Sequence, residues 1–211
     1  MTSPLRTAVK YQLSRDYVTD VNRLNKSIAG RNTSDAGLSN YMPPLPFSGD
    51  PEDAITGESL LMVCINPFFA GNDSKRVEIE YDPLKQLLLY VNKGDSVALD
   101  ALFEQRANYF GSQFEHPQFF KRIENLMRDS WFKDAPNDRL FGKMIVATDI
   151  LPYWSHDVDC IDSKTLGSEF EKDMALKAHS KVLSALVETI NPRWIHLNGK
   201  AAREVFELAF C

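Results

Sequence analysis

The sequence lacks long apolar runs and is poor in cysteine, and each shortage excludes a class of protein. A membrane-spanning helix needs about 18 or more consecutive apolar residues, and no segment approaches that length. The N-terminal residues contain no apolar signal core, so secretion is not expected. The three cysteines, Cys64, Cys160 and Cys211, are widely separated and odd in number, which argues against a disulfide framework or a cysteine-held metal. We therefore expect a cytoplasmic protein with no membrane contact, metal or other cofactor.

The chain is also short of positive charge, which restricts how it contacts nucleic acid. It has 24 Lys and Arg against 29 Asp and Glu, a net charge of −5. Residues 1–31 hold six of the basic side chains and two of the acidic ones, so the rest carries 18 and 27, a net charge of −9. An acidic body does not attract DNA through its overall field. DNA contacts are therefore expected to be local or to use the basic N-terminal segment, for which a solvated helix face is the favoured interpretation.

What is present is the composition of a folded protein, with 44% apolar and 11% aromatic residues. Apolar residues at helical spacing predict a helix over 4–29. Residues 30–58 are rich in Gly, Asn, Ser, Asp and Pro and predict an irregular connection, too polar for a core element. The chain is thus predicted to divide into an N-terminal segment, 1–57, and an α/β domain, 58–211.

Three short apolar segments predict the strands of that domain. Leu60 to Ile65 are all apolar, which is typical of a strand buried on both faces of a parallel sheet. Residues 143–149 and 194–198 predict two more strands. Helical patterns separate and follow them, over 84–91, 95–109, from 117 onward, 168–190 and 200–210. This alternation predicts an α/β fold: a three-layer α/β/α sandwich with a short, mainly parallel sheet and a helical N-terminal arm.

Ligands of open α/β sheets bind beyond the carboxyl ends of the strands, and polar residues follow each predicted strand. The strand ends read Cys-Ile-Asn-Pro at 64–67, Thr-Asp-Ile-Leu-Pro at 148–152 and Asn-Gly-Lys-Ala at 198–201. Taken together, these motifs resemble the uracil-DNA glycosylase superfamily, in particular its branches with an Asn-Pro first motif. The segment HPQFFKRIENL also resembles that family's aromatic-rich helix.

The resemblance implies a role for each matched position. Asn66 would hold the water that attacks the sugar carbon, and Asp149 stands where the family reads the flipped base, so both are candidate catalytic residues. Lys200 begins the last predicted helix, where an anion such as phosphate is favoured. Lys75, Arg76 and Arg203 are further phosphate candidates, and ordinary surface charge is the favoured interpretation for all four.

A base pocket also needs apolar and stacking side chains, since aromatic rings stack on extruded bases. Ile65, Pro67, Phe68 and Phe110 are the leading pocket candidates. Phe69 and Phe114 are weaker ones. Core packing is the favoured alternative for each phenylalanine taken singly.

The sequence departs from the family pattern at several places. Cys64 replaces a usual Gly, and Phe68 stands where related branches have a second Gly. Asp149 replaces an Asn, and an ionised carboxylate only accepts hydrogen bonds. The family's second motif, a His-Pro-Ser-like loop, is absent, and neither His156 nor His196 occupies its place. His156 is interpreted as a loop histidine bonded to a local carboxylate, and His196 as sheet packing.

The leading functional prediction is a DNA glycosylase-like protein that hydrolyses the N-glycosidic bond of a flipped, uracil-like or mispaired base. The missing motif and Asp149 favour an alternative, a catalytically degenerate relative that binds a nucleotide, nucleic acid or protein partner. A third prediction is a small-molecule hydrolase that uses Asp149 as its base with His156 nearby.

Overall fold

A three-stranded parallel sheet organises the molecule, in a computed structural model that describes residues 3–30, 33–112, 117–134, 140–157 and 159–210. The central strand is β1 (Leu60–Cys64), flanked by β2 (Ile145–Asp149) and β3 (Trp194–Leu197) in the order β2-β1-β3. Cys64 lies opposite Asp149, so the carboxyl ends of β1 and β2 meet at one edge. The predicted parallel strands and mixed α/β class are confirmed.

Burial explains why the strand sequences are so apolar. The first four residues of β1 and of β2 are buried. These strands have side chains packed on both faces, because the two hydrophobic clusters of the core take alternate residues of each strand. The flanking strand β3 is only partly buried along its length.

Helices occupy both connections between the strands. Between β1 and β2 lie α3 (Ser74–Arg76), a π-helix (Val77–Tyr81), α4 (Asp82–Asn92), α5 (Ser96–Ala107) and α6 (Pro117–Ser130). Between β2 and β3 lie α7 (Ser163–Glu169) and α8 (Met174–Ile190), and α9 (Lys200–Phe210) follows β3. None of the helices in the described ranges combines the length and apolarity needed to cross a bilayer.

The prediction of one helix over 168–190 is wrong at its start. Asp173 accepts hydrogen bonds from the backbone N–H groups of Ala175 and Leu176, and so caps a new helix, α8, within the predicted span. The predicted end is confirmed, because Asn191 adopts a left-handed conformation with φ of 44° and closes the helix before Pro192.

The N-terminal segment forms two helices, α1 (Pro4–Leu13) and α2 (Tyr17–Ser27), so the prediction of a single helix is also wrong. The break has a local cause. Asp16 accepts hydrogen bonds from the backbone N–H and the hydroxyl of Thr19, which caps α2 and restarts the helix. The apolar spacing gave no sign of this break because it continues across the cap.

The described residues of the 30–58 connection, Gly30 and 33–58, are irregular as predicted, but the prediction that this connection is too polar for the core is wrong. Five apolar side chains from this connection are buried in the main cluster: Ala36, Leu38, Met42, Leu45 and Phe47. Its polar backbone is satisfied by other segments, since Ser48 and Ala147 exchange two backbone hydrogen bonds at 2.7 and 2.8 Å. The helices α1 and α2 contribute to the same cluster.

Candidate functional site

A cavity of about 350 Å³ lies beyond the carboxyl ends of β1 and β2. Its volume falls within the range of about 300–1,000 Å³ that is typical of small-molecule sites. Five of the predicted site residues line it: Ile65, Asn66, Pro67, Phe68 and Asp149. The parallel arrangement of β1 and β2 brings them together, because both strands end at this edge.

Two predicted residues lie outside the cavity wall. Phe110 packs against Phe120 and Phe141, with ring centroids 5.0 and 4.6 Å away, and is a partly buried neighbour of the second hydrophobic cluster. Lys200 is exposed at the start of α9 and does not line the cavity.

The two loops that form the cavity wall are joined at Ser155. Its backbone N–H donates to the Pro67 carbonyl at 3.1 Å, and its own carbonyl accepts from the Phe69 N–H at 2.9 Å. The loop after β1 is therefore paired with the loop after β2, which holds Asn66 in place between them.

Asn66 is only 8% exposed and its amide orientation is fixed by its neighbours. Its Nδ2 donates to Ser155 Oγ at 2.7 Å and lies 3.2 and 3.4 Å from the carbonyl oxygens of Pro67 and Tyr153. Carbonyl oxygens only accept, so the amide nitrogen must face them. Asn66 Oδ1 is consequently left without a partner, as one of four such buried side-chain oxygen atoms in the described part of the chain.

Asp149 ends β2 and has a carboxylate with no hydrogen bond from any described residue, although its backbone carbonyl accepts from His179 Nε2 at 2.6 Å. Removal from water disfavours the ionised form and raises the pKa of Asp149 to about 7, and the Arg106 guanidinium acts in the opposite direction. A carboxyl group in this state exchanges a proton near neutral pH.

Arg106 is a site residue that the sequence analysis missed. It lies on α5, is 3% exposed and lines the cavity. Its Nε donates to the Phe47 carbonyl at 3.0 Å, its Nη2 donates to Ser48 Oγ, and its guanidinium lies 4.4 Å from the centre of the Tyr109 ring. Burial lowers the pKa of Arg106, but a guanidinium stays protonated in proteins.

A signal for Arg106 was present in the sequence. It follows Leu102 by four residues and Phe103 by three, so it lies on the apolar face of the predicted helix. A cation on the buried face of a helix needs hydrogen bonds and a polar environment, and therefore indicates a polar cavity next to α5.

Arg76 and Glu80 form a second charged pair in the cavity wall, with Nε and Oε2 2.5 Å apart. Arg76 directly precedes the π-helix and Glu80 lies within it, and a π-helix is a rare distortion that is frequent at functional sites. Burial raises the pKa of Glu80, while Arg76 opposes this effect. Arg76 was predicted as a phosphate contact, and the structure places its guanidinium on Glu80.

The aromatic candidates differ sharply in exposure. Phe68 is 54% exposed and lines the cavity, whereas Phe69 is 6% exposed and packs against Tyr41 and Tyr81. Phe119, which the sequence analysis did not single out, is exposed and also lines the cavity. Phe114 lies outside the described residues.

No histidine of the described residues lines the cavity. His156 is exposed and its ring lies 5.1 Å from Phe69, and in the described part of the chain it has no hydrogen bond to a carboxylate, contrary to the prediction. His196 packs against Trp131 at 5.7 Å, in agreement with the predicted packing role.

The last two predicted phosphate contacts, Lys75 and Arg203, do not line the cavity. Lys75 is exposed on α3, and Arg203 is paired with Glu207 on α9 at 3.8 Å. Within the described ranges, no group of three or more His, Cys, Asp or Glu side chains is placed to hold a metal ion.

Comparison with known proteins finds no family model, no curated protein and no solved structure that matches this chain.

Proposed function

We propose that the protein is a DNA glycosylase-like enzyme that hydrolyses the N-glycosidic bond of a flipped, uracil-like or mispaired base. A three-layer α/β/α sandwich and a cytoplasmic location are part of this proposal. One observation carries it: Asn66, Asp149 and the exposed ring of Phe68 line a single cavity at the carboxyl ends of two parallel strands.

The role proposed for Asn66 is to orient the attacking water. Its Oδ1 is a buried acceptor that lacks a partner among the described residues, so a water O–H can donate to it. The water oxygen adds to the sugar carbon, the electrons of the glycosidic bond pass to the base nitrogen, and the released proton goes to the base. Because an amide is a poor base, Asn66 contributes orientation and not proton abstraction.

Arg106 supplies the positive charge that this reaction needs. Negative charge develops on the departing base, and a fixed cation in a poorly solvated site stabilises it effectively. The family to which the sequence is similar assigns this task to a histidine of the absent second motif. Arg106 lines the cavity and is already held by Phe47 and Ser48, so it is organised before the base arrives.

Phe68 is proposed to stack on the extruded base. A ring that is about half exposed at a cavity wall has a face available to a ligand, and stacking is worth about 1–3 kcal/mol per base. The acidic charge of the chain makes the DNA contacts local to this opening.

The test is release of bases from uracil-containing and mispaired duplexes, detected as abasic sites. Asn66→Ala is expected to reduce the rate about 100-fold, since a misplaced reactant costs that order of magnitude. Asn72→Ala is the matched control, because Asn72 is an exposed amide in the same loop and does not line the cavity. The proposal fails if the wild-type protein forms no abasic sites on any of these duplexes.

A second candidate function is a binding module without catalysis. The observation that favours it is the lack of a histidine in the described cavity wall. It predicts that the wild-type protein binds an extruded base or a nucleoside without cleaving DNA, and that Phe68→Ala weakens this binding. Release of a base by the wild-type protein would contradict it.

A further inference from the structure

The cavity wall contains two hydrogen-bond acceptors that no described donor satisfies. Asn66 Oδ1 is buried without a partner. The Asp149 carboxylate, opposite Cys64 at the end of β2, receives no hydrogen bond from the described residues. An acceptor shielded from water without a donor is costly. Asn66 Oδ1 serves the attacking water in the proposed function, so the half-buried Asp149 carboxylate indicates which donors a base must provide.

Several donors in the same wall are already engaged. Arg106 donates to Phe47 and Ser48, the Thr148 hydroxyl donates to the Pro46 carbonyl at 2.9 Å, and Asn198 Nδ2 lies 3.6 Å from Cys64 Sγ. Arg106 thus uses two of its five N–H groups and Thr148 its only hydroxyl donor within the protein, whereas the Asp149 carboxylate receives no donor from the described residues.

From this pattern we infer that the site selects a base with two adjacent N–H donors, as on the Watson–Crick edge of guanine, with ionised Asp149 as the specificity-determining residue. The inference rests on the proposed function, because it takes the cavity to be a base pocket. The two oxygens of a carboxylate can accept from the N1–H and the 2-amino group at once, and such charge-assisted bonds are stronger than neutral ones. Uracil, with a carbonyl on each side of its N3–H, presents one donor and is disfavoured.

Selection of this edge depends on the charge of Asp149. A neutral carboxyl group has one donor and one acceptor, and it therefore loses the preference for two donors. Because the pKa of Asp149 is about 7, the preference should grow as the pH rises through neutrality.

Three of the other titratable groups around Asp149 keep their state over this range. Arg106 on α5 stays charged, and burial raises the pKa of the Cys64 thiol on β1, which keeps it neutral. Burial lowers the pKa of His179 on α8 to about 4, so its imidazole stays neutral. Glu80 on the π-helix is paired with Arg76.

The experiment is an equilibrium titration of the full chain with deoxyguanosine, deoxyinosine and deoxyuridine. Deoxyguanosine and deoxyinosine differ by the 2-amino group alone. We expect deoxyguanosine to bind about tenfold tighter than deoxyinosine at pH 8, the effect of one charge-assisted hydrogen bond. At pH 5.5 the two should bind within about threefold of each other, as expected for a neutral carboxyl group.

Asp149→Asn should abolish the preference at pH 8, because an amide offers one acceptor and one donor group. Asp157→Asn is the matched control, since Asp157 is exposed in the loop after β2 and does not line the cavity. Circular dichroism shows that each variant is folded, and retained binding of deoxyinosine shows that the pocket is intact.

The outcomes separate this inference from the proposed function. Equal binding of deoxyguanosine and deoxyinosine at pH 8, tightest binding of deoxyuridine, or no binding of any nucleoside overturns the inference. Release of uracil by a protein without the guanine preference also overturns it and leaves the glycosylase proposal standing. A guanine preference without release of any base supports the inference and overturns the glycosylase proposal alone.

Discussion

At the residue scale, Asp149 and His179 are joined in a buried network. His179 Nε2 lies 2.6 Å from the Asp149 carbonyl, and its Nδ1 lies 2.9 Å from Gln12 Nε2. A carbonyl only accepts, so Nε2 carries the proton and Nδ1 accepts from the Gln12 amide. One neutral imidazole thereby connects α1, α8 and the last residue of β2.

The two residues make opposite contributions to the pH dependence of stability. The pKa of Asp149 is about 7 in the folded chain against 3.8 as its ordinary value, so its contribution is present at low pH and lost as pH rises from 4 to 7. The pKa of His179 is about 4 against 6.5, so its contribution is present above pH 6.5 and lost as pH falls to 4. Between pH 4 and 6.5 the two slopes offset each other.

Asp149→Asn should remove the contribution of Asp149 to the pH dependence of stability and leave that of His179. Relative to wild type, the free energy of unfolding of the variant should increase with pH by on the order of 1 kcal/mol per pH unit between pH 4.5 and 6.5. Urea denaturation at three pH values in this range measures the difference. The other carboxylates are present in both the variant and the wild type, so their contributions cancel in the difference between the two free energies of unfolding. A difference that does not change with pH would contradict a raised pKa at Asp149, and the exposed Asp157→Asn provides the baseline.

At the element scale, α7 and α9 approach closely at Gly167. A Cβ atom added there would lie 2.7 Å from the Cβ of Leu208, closer than non-bonded carbons tolerate. Leu208 Cβ is tied to the backbone of α9, so a larger residue at 167 must displace the helix itself. The glycine therefore sets the distance between these two elements.

Gly167→Ala is accordingly expected to destabilise the protein by about 1–3 kcal/mol, the usual cost of overpacking. The direction of the stability change is informative, because Gly→Ala at an exposed helix position stabilises a protein by about 1 kcal/mol. Thermal and urea unfolding measure the effect. Ser168→Ala, at the exposed neighbouring position of α7, is the matched control and should lie within about 0.5 kcal/mol of wild type. A stabilised Gly167→Ala would show that α7 and α9 do not pack this closely.

At the scale of the whole molecule, the N-terminal helices contact α8 and the irregular connection that follows them. Helix α1 packs on α8, and Arg23 on α2 pairs with the buried carboxylate of Asp173 at 2.8 Å. Arg6 pairs with Glu52 in the irregular connection, also at 2.8 Å. Ion pairs thus neutralise part of the basic charge that the sequence concentrates near the N-terminus, which weakens that segment as a DNA-binding arm.

The predicted division at residues 57 and 58 can be tested by removing residues 1–57. The N-terminal helices and the residue after them supply six fully or nearly fully buried side chains: Leu5, Val9, Leu13, Val21, Leu24 and Ile28. Each is worth about 1.5–3 kcal/mol of burial, and their sum of about 9–18 kcal/mol is as large as the 5–15 kcal/mol that stabilises a typical protein. We expect the shortened chain to lose cooperative thermal unfolding and to bind a hydrophobic dye.

Arg23→Gln in the full-length chain is the matched control for that deletion. It breaks the link between α2 and Asp173 but retains the buried apolar side chains, so it should unfold cooperatively with a loss of about 1–3 kcal/mol. A cooperative transition in residues 58–211 alone, near the wild-type melting temperature, would confirm the predicted division.

Local chemistry in the sequence was sufficient for the strands and for the position of the cavity. The apolar run from Leu60 to Ile65 contains β1 (Leu60–Cys64), whose first four residues are buried because consecutive apolar residues place apolar side chains on both faces of the sheet. Asn66 and Asp149 meet because parallel strands place their carboxyl ends on one edge. Asn191 and Pro192 end α8 for reasons of backbone conformation alone.

Tertiary structure decided which neighbours of those residues are accessible. Phe68 and Phe69 are adjacent and chemically identical, and the pairing of their loop with Ser155 accompanies exposure of the first and burial of the second. Arg106 enters the cavity because α5 turns its apolar face towards the connection that carries Phe47. Such outcomes depend on contacts between residues far apart in the chain, and local spacing does not encode them.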